Sequence, residues 1–115
     1  MKLTKVAKKL DLEIVSGGDA METEITGCYI SDLLSDVMAN AGDGALWITI
    51  QTHTNIVAVS SLNNLAGVLI ARGKRPSDET IAEAQKQGVA ILVSQESTFD
   101  VAGRLYEMGV RGTER

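Results

Sequence analysis

Short runs that are apolar on both faces alternate along this chain with stretches that are apolar on one face only. Three runs are of the first kind: LWITIQ at 46–51, GVLIAR at 67–72 and VAILV at 89–93. Continuous apolarity over so few residues marks strands covered on both sides, as in a parallel sheet. Two weaker strand signals precede them. LEIV at 12–15 stops at the turn Ser16-Gly17-Gly18-Asp19, and EITGCYI at 24–30 is interrupted by Gly27.

The one-faced stretches have helical spacing. Leu3, Val6, Ala7 and Leu10 make a short amphipathic helix among lysines. Leu33, Leu34, Val37, Met38 and Ala41 form a second face, with Ser31 or Asp32 as its cap and residues 40–44 as its end. Pro76 and Ser77 introduce a helix at 78–87. Its acids Asp78 and Glu79 open it, Lys86 lies in its last turn and Gly88 stops it, as the helix dipole favours. Ser97 or Thr98 caps a final helix, predicted to pack through Phe99, Ala102, Leu105 and Tyr106 and to end at Gly109. The segment 55–64 is β-branched, and by propensity alone a strand stays open for 56–62. Adjacent parallel strands need a crossover of a dozen or so residues, usually a helix. A helix is therefore expected there, opened by Asn55 and closed by Asn63-Asn64.

Alternating strands and helices from residue 46 onward imply a single-domain α/β layered fold, with a mainly parallel sheet flanked by helices. The expected domain is 1–115, with a core at about 10–109 and a frayed tail at 110–115. No internal repeat or linker breaks the pattern.

Composition narrows the function classes. The 115 residues carry a net charge of −4, yet the first ten hold four lysines and no acid. The remainder sets 7 basic groups against 15 acidic ones, a surface that repels phosphate backbones. Aromatic residues make up 3% of the chain, too few for base-stacking platforms. Nucleic acid is excluded as a partner on both counts. No stretch is long enough to span a membrane. One cysteine fits a reducing compartment, and the lysine-broken N-terminus has no signal-peptide core. The expected location is cytoplasmic.

Candidate chemistry collects where strands end. In open α/β sheets ligands sit beyond the carboxyl ends of the strands. Three ends are polar here: Gln51-Thr52-His53-Thr54-Asn55, then Arg72-Gly73-Lys74-Arg75, then Ser94-Gln95-Glu96-Ser97-Thr98. The candidate ligand-binding residues are Thr52, His53, Thr54, Asn55, Arg72, Lys74 and Ser94, with the two cations supplying charge for a small anion. The bland alternative is that these are turn and cap residues. His53 has no acidic neighbour within three residues to orient it, which weakens a general-base role. Cys28 reads as a small buried hydrophobe. One cysteine and one histidine make a poor metal site, and Asp32 and Asp36 read as solvent-exposed. Residues 67–74 narrowly miss a P-loop. One residue too many separates the glycines, Arg75 stands where Ser or Thr would hold magnesium, and Gly67 opens a strand instead of following one. ATP hydrolysis and kinase chemistry fall with it. No catalytic residue, metal or cofactor is assigned.

LDLEIVSGGD, the tract from TGCYISDLL to LAGVLIARG, and GVAILVSQESTFDVAGRLYEMG together resemble the DRTGG domain family, over about Leu10 to Gly109. The likeness is to stand-alone members similar to the N-terminal domain of HPr kinase/phosphorylase. The pentapeptide that names the family is absent, and Thr52-His53-Thr54-Asn55 replaces an acidic-basic pair of many relatives. The resemblance implies a non-enzymatic regulatory module that forms a homodimer and binds a nucleotide or phosphorylated metabolite, or a protein partner. It also implies an alternative, an accessory subunit of a hydrogenase-associated redox complex. A small enzyme using His53 is the weakest of the three.

Overall fold

The computed structural model describes residues 1–113. Five strands form one sheet in the order β1-β5-β4-β3-β2. They are β1 (Glu13–Ser16), β2 (Gly27–Ile30), β3 (Ala45–Thr49), β4 (Gly67–Ile70) and β5 (Ile91–Val93). β2 to β5 run parallel, and β1 closes one edge antiparallel to β5. The helices are α1 (Leu3–Lys9), α2 (Leu34–Asn40), α3 (Asn55–Leu62), α4 (Asp78–Gln87) and α5 (Thr98–Glu107), with a 3-10 turn at Gly18–Glu22. The α/β class and the parallel sheet are as expected. Residues 55–62 are helix, because β3 and β4 are parallel neighbours and the chain must return between them.

From β2 to β5 every crossover steps the same way across the sheet, so one handedness puts all three crossover helices on one face. Val37 of α2 and Ala41 at its end, Ile56, Val57 and Val59 of α3, and Ala84 of α4 pack there on Trp47, Val68, Ile70 and Ile91. On the other face α1 and α5 bring Leu3, Val6, Val101 and Leu105 against Leu46, Ile48, Leu69 and Leu92. Alternate residues of β3 therefore enter different cores, which is why its sequence has no polar face. Asn63 is buried, and its amide nitrogen lies 3.0–3.1 Å from the carbonyls of Val37, Met38 and Ala41. It satisfies orphan acceptors at the end of α2 from the end of α3.

Three details depart from the expectation. Neither Ser31 nor Asp32 caps α2; Leu33 holds that position, with no side-chain cap. The packing face of α5 is Val101 and Leu105, whereas Phe99 and Tyr106 are 85% and 61% exposed. The side chains of Phe99 and Tyr106 lie outside the stripe that α1 and the sheet cover. The chain also does not fray from 110. Cys28 donates its N–H to the Arg111 carbonyl at 2.9 Å, and Thr113 N–H returns a bond to the Cys28 carbonyl at 3.0 Å. A Cβ on Gly27 would stand 2.6 Å from the Arg111 carbonyl oxygen, so the glycine that weakens the strand pattern is what admits this segment. Residues 114–115 lie outside the described residues. Among the described residues no helix is long and apolar enough to cross a membrane.

Candidate functional site

Parallel pairing brings the carboxyl ends of β2 to β5 to one edge of the sheet, with Ile30, Ile48, Ile70 and Val93 near the same level. The chain leaves β4 toward α4 on one face and leaves β5 toward α5 on the other. A divergence of this kind between neighbouring strands is the place where open α/β sheets form a ligand crevice.

The β2–β3 half of the edge is bonded to itself. Asp32 Oδ1 accepts from Thr49 Oγ1 at 2.8 Å and from Ile50 N–H at 2.9 Å, and Gln51 Nε2 donates to the Asp32 carbonyl at 2.9 Å. One carboxylate thus holds the end of the neighbouring strand. Four residues on, the Asp36 carboxylate accepts from Tyr29 Oη and from Asn40 Nδ2. Hydrogen bonds from Ser31, Asn40 and Tyr29 hold its carboxyl below the ordinary aspartate value of 3.8. These two aspartates, read from the sequence as merely solvated, organise the β2–α2–β3 corner.

The β3–α3 loop is tied to α4. Thr80 is fully buried, and its hydroxyl lies 3.1 Å from Thr54 Oγ1, 3.1 Å from Ser77 Oγ and 3.3 Å from the Thr52 carbonyl. A hydroxyl has one proton. If it goes to the Thr52 carbonyl, Thr54 and Ser77 must donate to Thr80. Ser77 also accepts from Thr80 N–H at 3.2 Å, which makes it the N-cap of α4 as expected. His53 is exposed, and its Nδ1 accepts from Asn55 N–H at 3.2 Å. That bond makes Nδ1 an acceptor.

The β4–β5 half is zipped by its backbone. Arg72 N–H donates to the Glu96 carbonyl at 2.8 Å, and Gly73 N–H to the Ser94 carbonyl at 2.7 Å. Ser94 is buried, and its hydroxyl accepts from Glu96 N–H at 3.1 Å. Arg104 then pairs with Glu96 at 2.7 Å. Arg72 and Gly73 both have positive φ, 64° and 66°. Asp11 and Asn64 are the other described non-glycine residues with positive φ, and both are of the types that tolerate it. Arginine is not. The Arg72 and Lys74 side chains are exposed and have no ion pair or side-chain hydrogen bond among the described residues. The adjacent Arg75 instead bonds Glu13 at the start of β1.

All seven sequence candidates therefore fall on the carboxyl edge, in different states. Thr54 and Ser94 spend their hydroxyls inside the protein, His53, Asn55, Arg72 and Lys74 face out, and Thr52 is half-buried with its carbonyl on the Thr80 hydroxyl. Asp32, Thr80 and Glu96 were not candidates. Thr80 had a legible signal: it shares a helix face with buried Ala84, four residues on, so its hydroxyl had to find a partner inside. Cys28 lies on β2, and burial pushes its thiol up to about 12. Among the described residues no group of three or more His, Cys, Asp or Glu is placed to hold a metal ion.

The model of the DRTGG domain matches residues 5–108. The fold is similar to the crystal structure of the CBS and DRTGG domains of the regulatory region of Clostridium perfringens pyrophosphatase, complexed with the activator diadenosine tetraphosphate. The TM-score is 0.76 at 16% identity, over 96% of this chain and 47% of that one. The chain thus spans about half the length of that structure, and at this identity the likeness is one of fold. No curated protein sequence matches the chain.

Proposed function

The chain belongs to the DRTGG domain family, and on that premise we propose that it is a non-enzymatic regulatory module, a homodimer that senses a small anionic ligand at the carboxyl edge of its sheet. The observation that carries the reading is Arg72. It holds a left-handed backbone conformation that costs an L-residue about 1–2 kcal/mol, at the point where β4 and β5 diverge, and its guanidinium has no ion pair among the described residues of an acidic protein. Strain of this kind, retained in a loop, points to a use for the side chain. Lys74 adds a second cation two residues on. Thr52, His53 and Asn55 supply polar contacts from the neighbouring loop, and Thr54 and Ser94 hold the two loops in place. The regulatory region of the similar pyrophosphatase was crystallised with a dinucleotide activator, which supports nucleotides as the first ligand class to try.

Thermal unfolding in the presence of nucleotides, dinucleoside polyphosphates and phosphorylated metabolites tests this. A ligand at about a hundred times its dissociation constant adds about 2.7 kcal/mol to stability, several degrees in Tm for a chain of this size. The rise should vanish in the double variant Arg72→Gly, Lys74→Ala. A flat response to every anion, or a response that survives the double variant, would remove the site.

A further inference from the structure

A left-handed arginine persists only where the surrounding structure holds it. The hold on Arg72 runs through Glu96. Arg72 N–H donates to the Glu96 carbonyl at 2.8 Å, and a carbonyl in a loop can anchor a neighbour only while its own loop stays in place. Glu96 is half-buried and is fixed from two sides. Its N–H donates to the Oγ of buried Ser94 at 3.1 Å, and its carboxylate accepts from Arg104 Nη1 at 2.7 Å. Arg104, in the last turn of α5, has a second contact on a different element. Its Nη2 donates to the Lys9 carbonyl at 3.1 Å. Lys9 is the last residue of α1, and the final carbonyls of a helix have no partner within it. The planar fork of one guanidinium thus joins the end of α1 to the loop that holds Arg72.

We propose that Arg104 is a positioning residue for the anion site: through Glu96 it holds the backbone of Arg72 in the conformation that offers the Arg72 guanidinium to a ligand. The inference rests on the anion site of the functional reading and adds how that site is held in shape. The Arg104 guanidinium is spent on Glu96 and Lys9, so it positions and does not bind. Anion affinity at the carboxyl edge then depends on a contact with α1, an element that supplies none of the candidate ligand residues. Arg75, three residues beyond Arg72, is tied separately to Glu13, so the Glu96 link is the one that reaches the strained residue.

Calorimetric titration of the full chain with ATP and with inorganic pyrophosphate is the test, alongside amide hydrogen exchange read by NMR at Arg72 and Gly73. The Arg104–Glu96 pair is partly exposed, and such pairs add little to global stability, so Arg104→Met should melt close to the wild type. Its Kd for the anions should nevertheless rise about tenfold, within the range for residues that share one hydrogen-bonded network. Exchange at Arg72 and Gly73 should quicken while the amides of β4 keep their protection. Arg104→Lys, which restores a cation opposite Glu96, should recover most of the affinity. Glu96→Gln should weaken binding as Arg104→Met does, and the double variant should be no weaker than either alone. Additive losses, or wild-type affinity and exchange in Arg104→Met, would overturn the positioning role and leave the anion site standing. A wild type that binds neither anion would overturn the site, and this role with it.

Discussion

The two halves of the carboxyl edge use polar residues in opposite ways. Around β2 and β3, side chains do the bonding: Asp32 holds Thr49 and Ile50, and Thr80 gathers Thr52, Thr54 and Ser77. Around β4 and β5 the backbone does it, through Arg72 N–H and Gly73 N–H, and the side chains of Arg72 and Lys74 have no partner among the described residues. A cluster of hydroxyls and amides after a strand is therefore not in itself a binding site. What separates scaffold from site is whether the polar groups have already found partners inside the chain.

The strongest way to break this comparison is Thr80→Val, which keeps the shape and removes the hydroxyl. Thr54, Ser77 and the Thr52 carbonyl lose a buried partner. The expected loss is about 1–3 kcal/mol in urea unfolding, with a lower midpoint and an unchanged slope. An unchanged midpoint would mean that the hydroxyl network contributes nothing to the β3–α3 loop. Arg72→Gly examines the other half and should move stability the opposite way. Relief of the left-handed strain, less the extra chain entropy of glycine, leaves a gain of about 0.5–1 kcal/mol. The same variant should lose the thermal response to anions. A destabilised Arg72→Gly would place the arginine among the structural residues.

The smallest effect concerns Asp36. Its folded value is lowered by Ser31, Asn40 and Tyr29, so its contribution is present above the unfolded aspartate value and disappears as the pH falls through the folded one. The stability difference between the wild type and Asp36→Asn should be present at neutral pH and close below about pH 4. A difference that does not change with pH would assign it to geometry instead of charge.

Much of this was legible in the sequence. The double-sided apolar runs identified β3, β4 and β5, and the cap chemistry of Ser77 and Ser97 marked the starts of α4 and α5. The crossover requirement of a parallel sheet outweighed the β-propensity of 56–62. The candidate residues share one edge because every parallel strand delivers its carboxyl end there. The division among them was not legible. Ser94 and Lys74 look equally available in the sequence, yet one hydroxyl is buried on Glu96 N–H and the other side chain is exposed. The aromatic residues of α5 misled for a related reason. Periodicity shows that a helix has apolar positions, but two overlapping stripes fit the same residues, and packing against α1 and the sheet chose Val101 and Leu105.

The sequence by itself determined the order of strands and helices, the caps of α4 and α5 and the common edge of the candidate residues, because those follow from spacing along a few neighbouring positions. The tertiary structure alone decided which polar groups are spent, that Gly27 admits the segment at 111–113, and that Phe99 faces out. Each of these depends on groups far apart in the chain, such as Thr54 with Thr80 or Cys28 with Arg111. Local periodicity carries no record of what will stand opposite a side chain once the layers close.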